Sequence, residues 1–131
     1  GGANDDELVG GAGRDTLTGG LGDDTFIFAT FSDSPNGGSR DIITDFAVGG
    51  DTIDIAGIDA NIGDGIDQAF NFLGASGFTM TAGELIFEVF DAKDTKNDRT
   101  IVSGDIDGDG KADFQIELKG LHTLTAGDFL L

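Results

Sequence analysis

The 131-residue chain has no cysteine, tryptophan or tyrosine, and only one histidine, one methionine and one proline. Without cysteine there are no disulfides, no thiolate metal sites and no thiol nucleophile. A single histidine excludes the HExxHxxGxxH zinc motif of a metalloprotease. Trp and Tyr platforms, typical of carbohydrate-binding faces, are missing as well. Basic residues are scarce: seven Lys and Arg stand against 25 Asp and Glu, a formal net charge of −18. Nucleic acid and anionic membrane both need a positive surface, so neither is an expected partner. No apolar run approaches the ~18 residues of a membrane span, so no membrane insertion is expected. The N-terminus has no initiator Met and no charged-then-apolar leader pattern, as expected of a fragment of a longer protein.

What is present is unevenly distributed. Of the acids, 21 are Asp and only 4 are Glu. Asp favours turns and metal loops, whereas Glu favours solvated helices. Gly reaches 23 residues, far above the usual ~7%, which again points to turns. Leu, Ile, Val and Phe together number 37, enough for a core in one domain or two small ones sharing an edge.

Residues 1–27 divide without a gap into three nonapeptides, GGANDDELV, GGAGRDTLT and GGLGDDTFI. Position four is Asn4, Gly13 or Gly22, all tolerant of positive φ. Position six is always Asp (Asp6, Asp15, Asp24), and position eight is large and apolar (Leu8, Leu17, Phe26). Six residues make a tight turn, and three make a short strand whose middle side chain points inward. Two nonapeptides then complete one coil, so Leu8 and Phe26 stack on one sheet and Leu17 opposes them from the other. Loops one and three lie side by side, where Asp6 and Asp24 converge with backbone carbonyls. Such a hard oxygen cage suits calcium, whereas zinc prefers His or Cys. Without a cation these carboxylates repel and the small core is insufficient to hold the coil.

These residues resemble the RTX repeat, the GGxGxDxUx nonapeptide of the parallel β-roll. The resemblance implies calcium between neighbouring turns of one edge, held by Asp6, Asp15 and Asp24. Carbonyls of Gly2, Asn4, Gly11, Gly13, Gly20 and Gly22 complete the implied sites.

After Phe28 the repeat stops, and residues 32–38 read as a loop. Alternating segments at 41–46 and 51–55, joined by a Gly49-Gly50 turn, read as strands. Further strands are expected at 70–73, 84–90, 99–106, 112–118 and 128–131, with a hairpin loop at 91–99. Their lengths suggest an antiparallel sandwich. The order SRDIITDFAVGGDTIDI, AGELIF, DGDGKADFQIEL and terminal GDFLL is similar to the C-terminal domain of serralysin-type secreted metalloproteases. The resemblance implies an all-β chain: an RTX roll over 1–30 running into a β-sandwich cap over 31–131. It also implies a secretion signal near 110–131, read by a type I secretion apparatus. The acidic-then-apolar ending Asp128-Phe129-Leu130-Leu131 fits that signal.

Two further acid groups are notable. Asp41, Asp45 and Asp51 flank the strands where the roll ends, and the resemblance implies that Asp45 and Asp51 help close the final sites. The run Asp105-Ile106-Asp107-Gly108-Asp109-Gly110 begins like an EF-hand loop, but position 12 is Ile116 and lacks the bidentate Glu. Asp113 instead closes a short DxDxDGxxD loop between two strands, a further candidate calcium site. His122 is expected to be structural or exposed, and the eleven Phe to fill the core.

The function expected is therefore non-catalytic. A secreted, extracellular, calcium-binding module would stay unfolded through export, fold on meeting calcium, and stabilise the upstream domain of its own chain. The alternative is a polysaccharide-binding RTX module of an alginate-modifying enzyme, with calcium bridging an anionic polymer.

Overall fold

Residues 1–93 and 96–131 are described by a computed structural model. Its strands are β1 (Glu7–Val9), β2 (Thr16–Leu17), β3 (Thr25–Ile27), β4 (Asp41–Ile43), β5 (Thr52–Asp54) and β6 (Asn71–Gly74). They are followed by β7 (Glu84–Phe90), β8 (Arg99–Asp105), β9 (Phe114–Lys119) and β10 (Phe129–Leu130). The only helical segments among the described residues are two single turns of 3-10 helix, at Gly37–Ser39 and Ala126–Asp128.

The nonapeptide phase builds the first coil and a half. β1 and β3 pair in parallel with Leu8 opposite Phe26, whereas β2 joins the other sheet. The turns between them need glycine for a concrete reason. Gly22 has φ +125°, and a Cβ there would lie 2.6 Å from the Asn4 carbonyl carbon, so a side chain would force the coils apart.

The completed fold has a four-stranded sheet in the order β1-β3-β5-β10 and a six-stranded sheet in the order β2-β4-β9-β8-β7-β6. All pairs in the first sheet are parallel, with Phe26, Ile53 and Phe129 in register. In the second, Leu17, Ile43 and Leu118 are in register across the parallel pairs β2-β4 and β4-β9. These residues and Phe28, Ile55, Leu85, Val102, Phe114 and Ile116 form one continuous core between the sheets.

Every strand expected from the sequence is present, but several partners and directions differ from an antiparallel sandwich. Among the described strands, antiparallel pairing is confined to β7-β8 and β8-β9, with one isolated antiparallel bridge between Pro35 and Phe114. The Gly49-Gly50 turn joins β4 to β5 across the sheets instead of closing a hairpin. Coiling thus continues past Phe28, and the pairs β2-β4 and β3-β5 carry both sheets across residue 30. Alternating side chains identify the buried face of a strand, but carry no information on the direction of its neighbour. In the expected hairpin loop at 91–99, residues 94 and 95 lie outside the described residues.

Phenylalanine also departs from expectation. Phe26, Phe28, Phe46, Phe70, Phe87, Phe114 and Phe129 are buried, whereas Phe31 and Phe90 are exposed at 45% and 39%. Phe90 carries the Arg99 guanidinium 5.2 Å above its ring, a cation–π contact that gives an exposed aromatic a partner. Truncating the fully buried Phe26 to Ala is expected to cost about 3–5 kcal/mol in chemical denaturation. The exposed Val9→Ala should stay within about 0.5 kcal/mol.

Candidate metal centres

The parallel stack places successive acidic turns on two edges. The turns before β1, β3 and β5 share the first edge. There the Asp6 N–H donates to Asp24 Oδ1 (2.9 Å), and the Asp24 N–H donates to Asp51 Oδ1 (3.0 Å). A reciprocal bond runs from the Asp23 N–H to Asp5 Oδ1 at 2.9 Å. The Leu21 N–H reaches the Gly2 carbonyl at 2.9 Å, and Gly2 and Gly20 form a parallel bridge.

One atom is left over. Asp24 is 1% exposed, and its Oδ2 has no hydrogen-bond partner among the described residues. A Cβ at Gly19 would lie 2.2 Å from that oxygen. A Cβ at Gly1 would lie 2.0 Å from the Gly19 carbonyl oxygen and 2.6 Å from Asp6 Oδ2. Glycine keeps this acid-and-carbonyl cradle open. On the same edge Gly2 lies against Gly20, and Asn4 against Gly22.

The second edge repeats the arrangement with a residue the sequence reading left out of its ligand set. The Asp15 N–H donates to Asp41 Oδ1 at 2.7 Å, while Asp41 Oδ2 is buried and unpartnered among the described residues. A Cβ at Gly10 would lie 2.9 Å from Asp41 Oδ2 and 3.0 Å from Asp15 Oδ2. Burial pushes the Asp41 carboxyl up to about 6; the Asp15 N–H opposes the rise, and the Asp15 and Asp33 charges add to it. The signal was in the sequence: Asp41-Ile42-Ile43 repeats the acid–any–apolar step of Asp15-Thr16-Leu17. The long loop between the two hid the phase. Gly11 and Gly13 belong to this edge, and a Cβ on either would meet nothing within 4 Å among the described residues.

Asp45 and Asp51 lie on the turn that follows. Asp45 accepts the Gly19 and Gly20 N–H groups at 2.9 and 2.8 Å. Asp51 accepts the Asp24 N–H on one oxygen and the Ala47 N–H on the other, at 2.9 Å. Both close the last turns onto backbone donors.

The third cluster, Asp105, Asp107 and Asp109, offers carboxylate oxygens all within 4.8 Å of one another. Asp105 is spent on the loop itself, accepting the Gly108 and Gly110 N–H groups at 2.7 and 2.8 Å. Asp113 Oδ2 accepts the Ile106 N–H at 2.7 Å. Burial raises the Asp113 pKa; the Ile106 bond opposes that rise, and the charges of Asp107, Asp105 and Asp109 reinforce it. Asp105, Asp107 and Asp109 therefore face one another, and Asp113 is tied to the same loop through the Ile106 N–H. His122 is structural: Nε2 lies 2.6 Å from the Lys119 carbonyl oxygen, and the ring meets Phe46 edge-on at 6.1 Å.

The donors at all three places are oxygens, which fit a hard divalent cation such as calcium better than zinc. Asp41 also sets a pH dependence for the metal-free chain. Below its unfolded value of 3.8 both states hold the proton, and between 3.8 and about 6 only the folded state does. The metal-free fold therefore loses on the order of 3 kcal/mol of Asp41's contribution as pH rises through that window. The β-signal in chelator should fall from pH 4 to pH 7 in circular dichroism, and Asp41→Asn should flatten the fall.

Over residues 2–131 the chain matches the family described as Peptidase M10 serralysin C terminal. It is similar to the solution structure of the AlgE6R2 subunit from the Azotobacter vinelandii mannuronan C5-epimerase. That similarity has a TM-score of 0.62 and 33% identity, over 97% of this chain and 71% of that one. The AlgE6R3 subunit of the same epimerase gives 0.59 and 29%, over 98% and 66%. No curated protein matches the chain. With acidic turns stacked on both edges of its parallel coils, the chain belongs to the serralysin C-terminal family of RTX-type β-roll domains.

Proposed function

We propose that this chain is a non-catalytic, calcium-binding C-terminal module of a secreted protein. It passes unfolded through a type I secretion apparatus that reads its C-terminal end. It then folds in extracellular calcium and stabilises the domain upstream. The observation that carries this reading is the pair of buried, unpartnered oxygens, Asp24 Oδ2 and Asp41 Oδ2, one on each edge. A buried anionic oxygen without a donor is costly, and a cation removes that cost. Asp6 and Asp24 with the turn carbonyls would hold one ion, Asp15 and Asp41 a second, and Asp105, Asp107, Asp109 and Asp113 a third. Bound calcium supplies positive charge at these points. A site filled to about 100 times its Kd adds about 2.7 kcal/mol to folding.

Export and folding follow from the same chemistry. Where calcium is scarce, 25 acids against seven bases keep the chain expanded and soluble. Extracellular modules bind calcium at about 10⁻⁴–10⁻³ M, so external calcium drives folding and cytosolic calcium does not. A second reading, polysaccharide binding, is favoured by the likeness to subunits of a mannuronan C5-epimerase. It predicts a calcium-dependent heat on adding oligomannuronate.

Calcium titration after EGTA, followed by circular dichroism and calorimetry, should show β-structure appearing near millimolar calcium with magnesium ineffective. A chain already fully folded in EGTA at pH 7, with no heat on adding calcium, would sink the proposal. Asp24→Asn and Asp41→Asn should each shift the folding midpoint to about tenfold higher calcium.

A further inference from the structure

The first-edge column does not end at Asp51. The turn that Asp51 closes, Ala47 to Asp51, offers a further N–H at Gly49, which donates to Asp128 Oδ1 at 3.1 Å. Asp128 Oδ2 accepts the Thr125 N–H at 2.7 Å and the Thr125 hydroxyl at 3.2 Å. The acid is 2% exposed. Immediately beyond it Phe129 pairs with Ile53, and the Ile55 N–H donates to the Leu130 carbonyl at 3.0 Å. The Phe129 ring packs 5.2 Å from that of Phe72.

Register separates Asp128 from the ligand positions. Phe129 faces Ile53, so Asp128 stands beside Thr52 and not beside Asp51. It is one residue out of phase with Asp6, Asp24 and Asp51, and its oxygens accept from Gly49 and Thr125. It nevertheless holds the same turn as Asp51, through an N–H two residues from the Ala47 N–H that Asp51 holds. Asp51 in turn positions the Asp24 N–H, and Asp24 presents the unpartnered oxygen.

We propose that Asp128 is a positioning residue for the first-edge cation site: docking of the C-terminal strand raises that site's calcium affinity through the Gly49 turn, Asp51 and Asp24. The inference rests on the calcium reading above. Coupling is reciprocal, so calcium at Asp6 and Asp24 also holds the C-terminal strand in the sheet. The second edge lacks this connection, because Asp41 is held by Asp15 and Ser34.

The test is an NMR calcium titration of the full chain, following the Gly19 and Asp24 amides for the first edge and the Gly10 and Asp15 amides for the second. Asp128→Asn keeps the size of the side chain but turns an amide N–H₂ toward a donor it must accept. It is expected to weaken calcium binding at the first edge by about five- to tenfold and to leave the second unchanged. Equal weakening at both edges, which marks general destabilisation, overturns the proposal, as does no change at either. Should the variant not fold at saturating calcium, Phe129→Leu loosens the same strand by packing alone and is read by the same selectivity. No calcium response at either edge of the unmodified chain defeats the calcium reading itself, a distinct result.

Discussion

The structure depends on one repeated contact: the carboxylate of one coil accepting a backbone N–H from the coil before it. Asp24 receives Asp6, Asp51 receives Asp24, Asp41 receives Asp15, and Asp45 receives Gly19 and Gly20. Parallel strands joined by tight turns leave the turn N–H groups outside the sheet ladder, and buried donors need acceptors. Aspartate meets that need with a short side chain that reaches the neighbouring turn. The cost is a row of like charges at a spacing set by the sheets, with one oxygen of Asp24 and one of Asp41 buried and unpartnered. Holding the coils together and creating demand for a cation are thus two results of the same residue choice.

The inward residues divide the work differently. Phe26, Ile53, Ile43 and Leu118 make a dry interior between two sheets, and they need only the correct phase, not acids or glycines. That independence lets the coil survive where the GGxGxD signature ends. β4 and β5 keep the inward Ile and the preceding Asp but connect through turns of other kinds. Longer strands then complete the second sheet, with antiparallel pairing where β7, β8 and β9 follow one another closely.

The first coil and a half was readable in the sequence nearly residue by residue, because a nine-residue period fixes turn, face and neighbour together. Beyond Phe28 only the positions of strands were legible. The parallel partners of β4, β5 and β10 come from segments far away in the chain, and alternation does not encode them. Asp41 escaped for the same reason: its equivalence to Asp15 becomes plain only once β2 and β4 are known to be neighbours. The DxDxDGxxD loop, by contrast, was legible as a local motif, since Asp105 and Asp113 fold it through the loop's own backbone bonds and bring Asp105, Asp107 and Asp109 together.

The place of β10 has a consequence for the order of assembly. The four-stranded sheet is finished by the last residues of the chain, laid against β5, and the other sheet receives β9 beside β4 only late in the sequence. Pairings of such long sequence separation are entropically expensive to close and form slowly. Neither sheet can be completed by a segment emerging from one end alone. The core between the sheets therefore closes only once residues 114–130 are in place, so the connectivity makes the two sheets depend on one long-range closure.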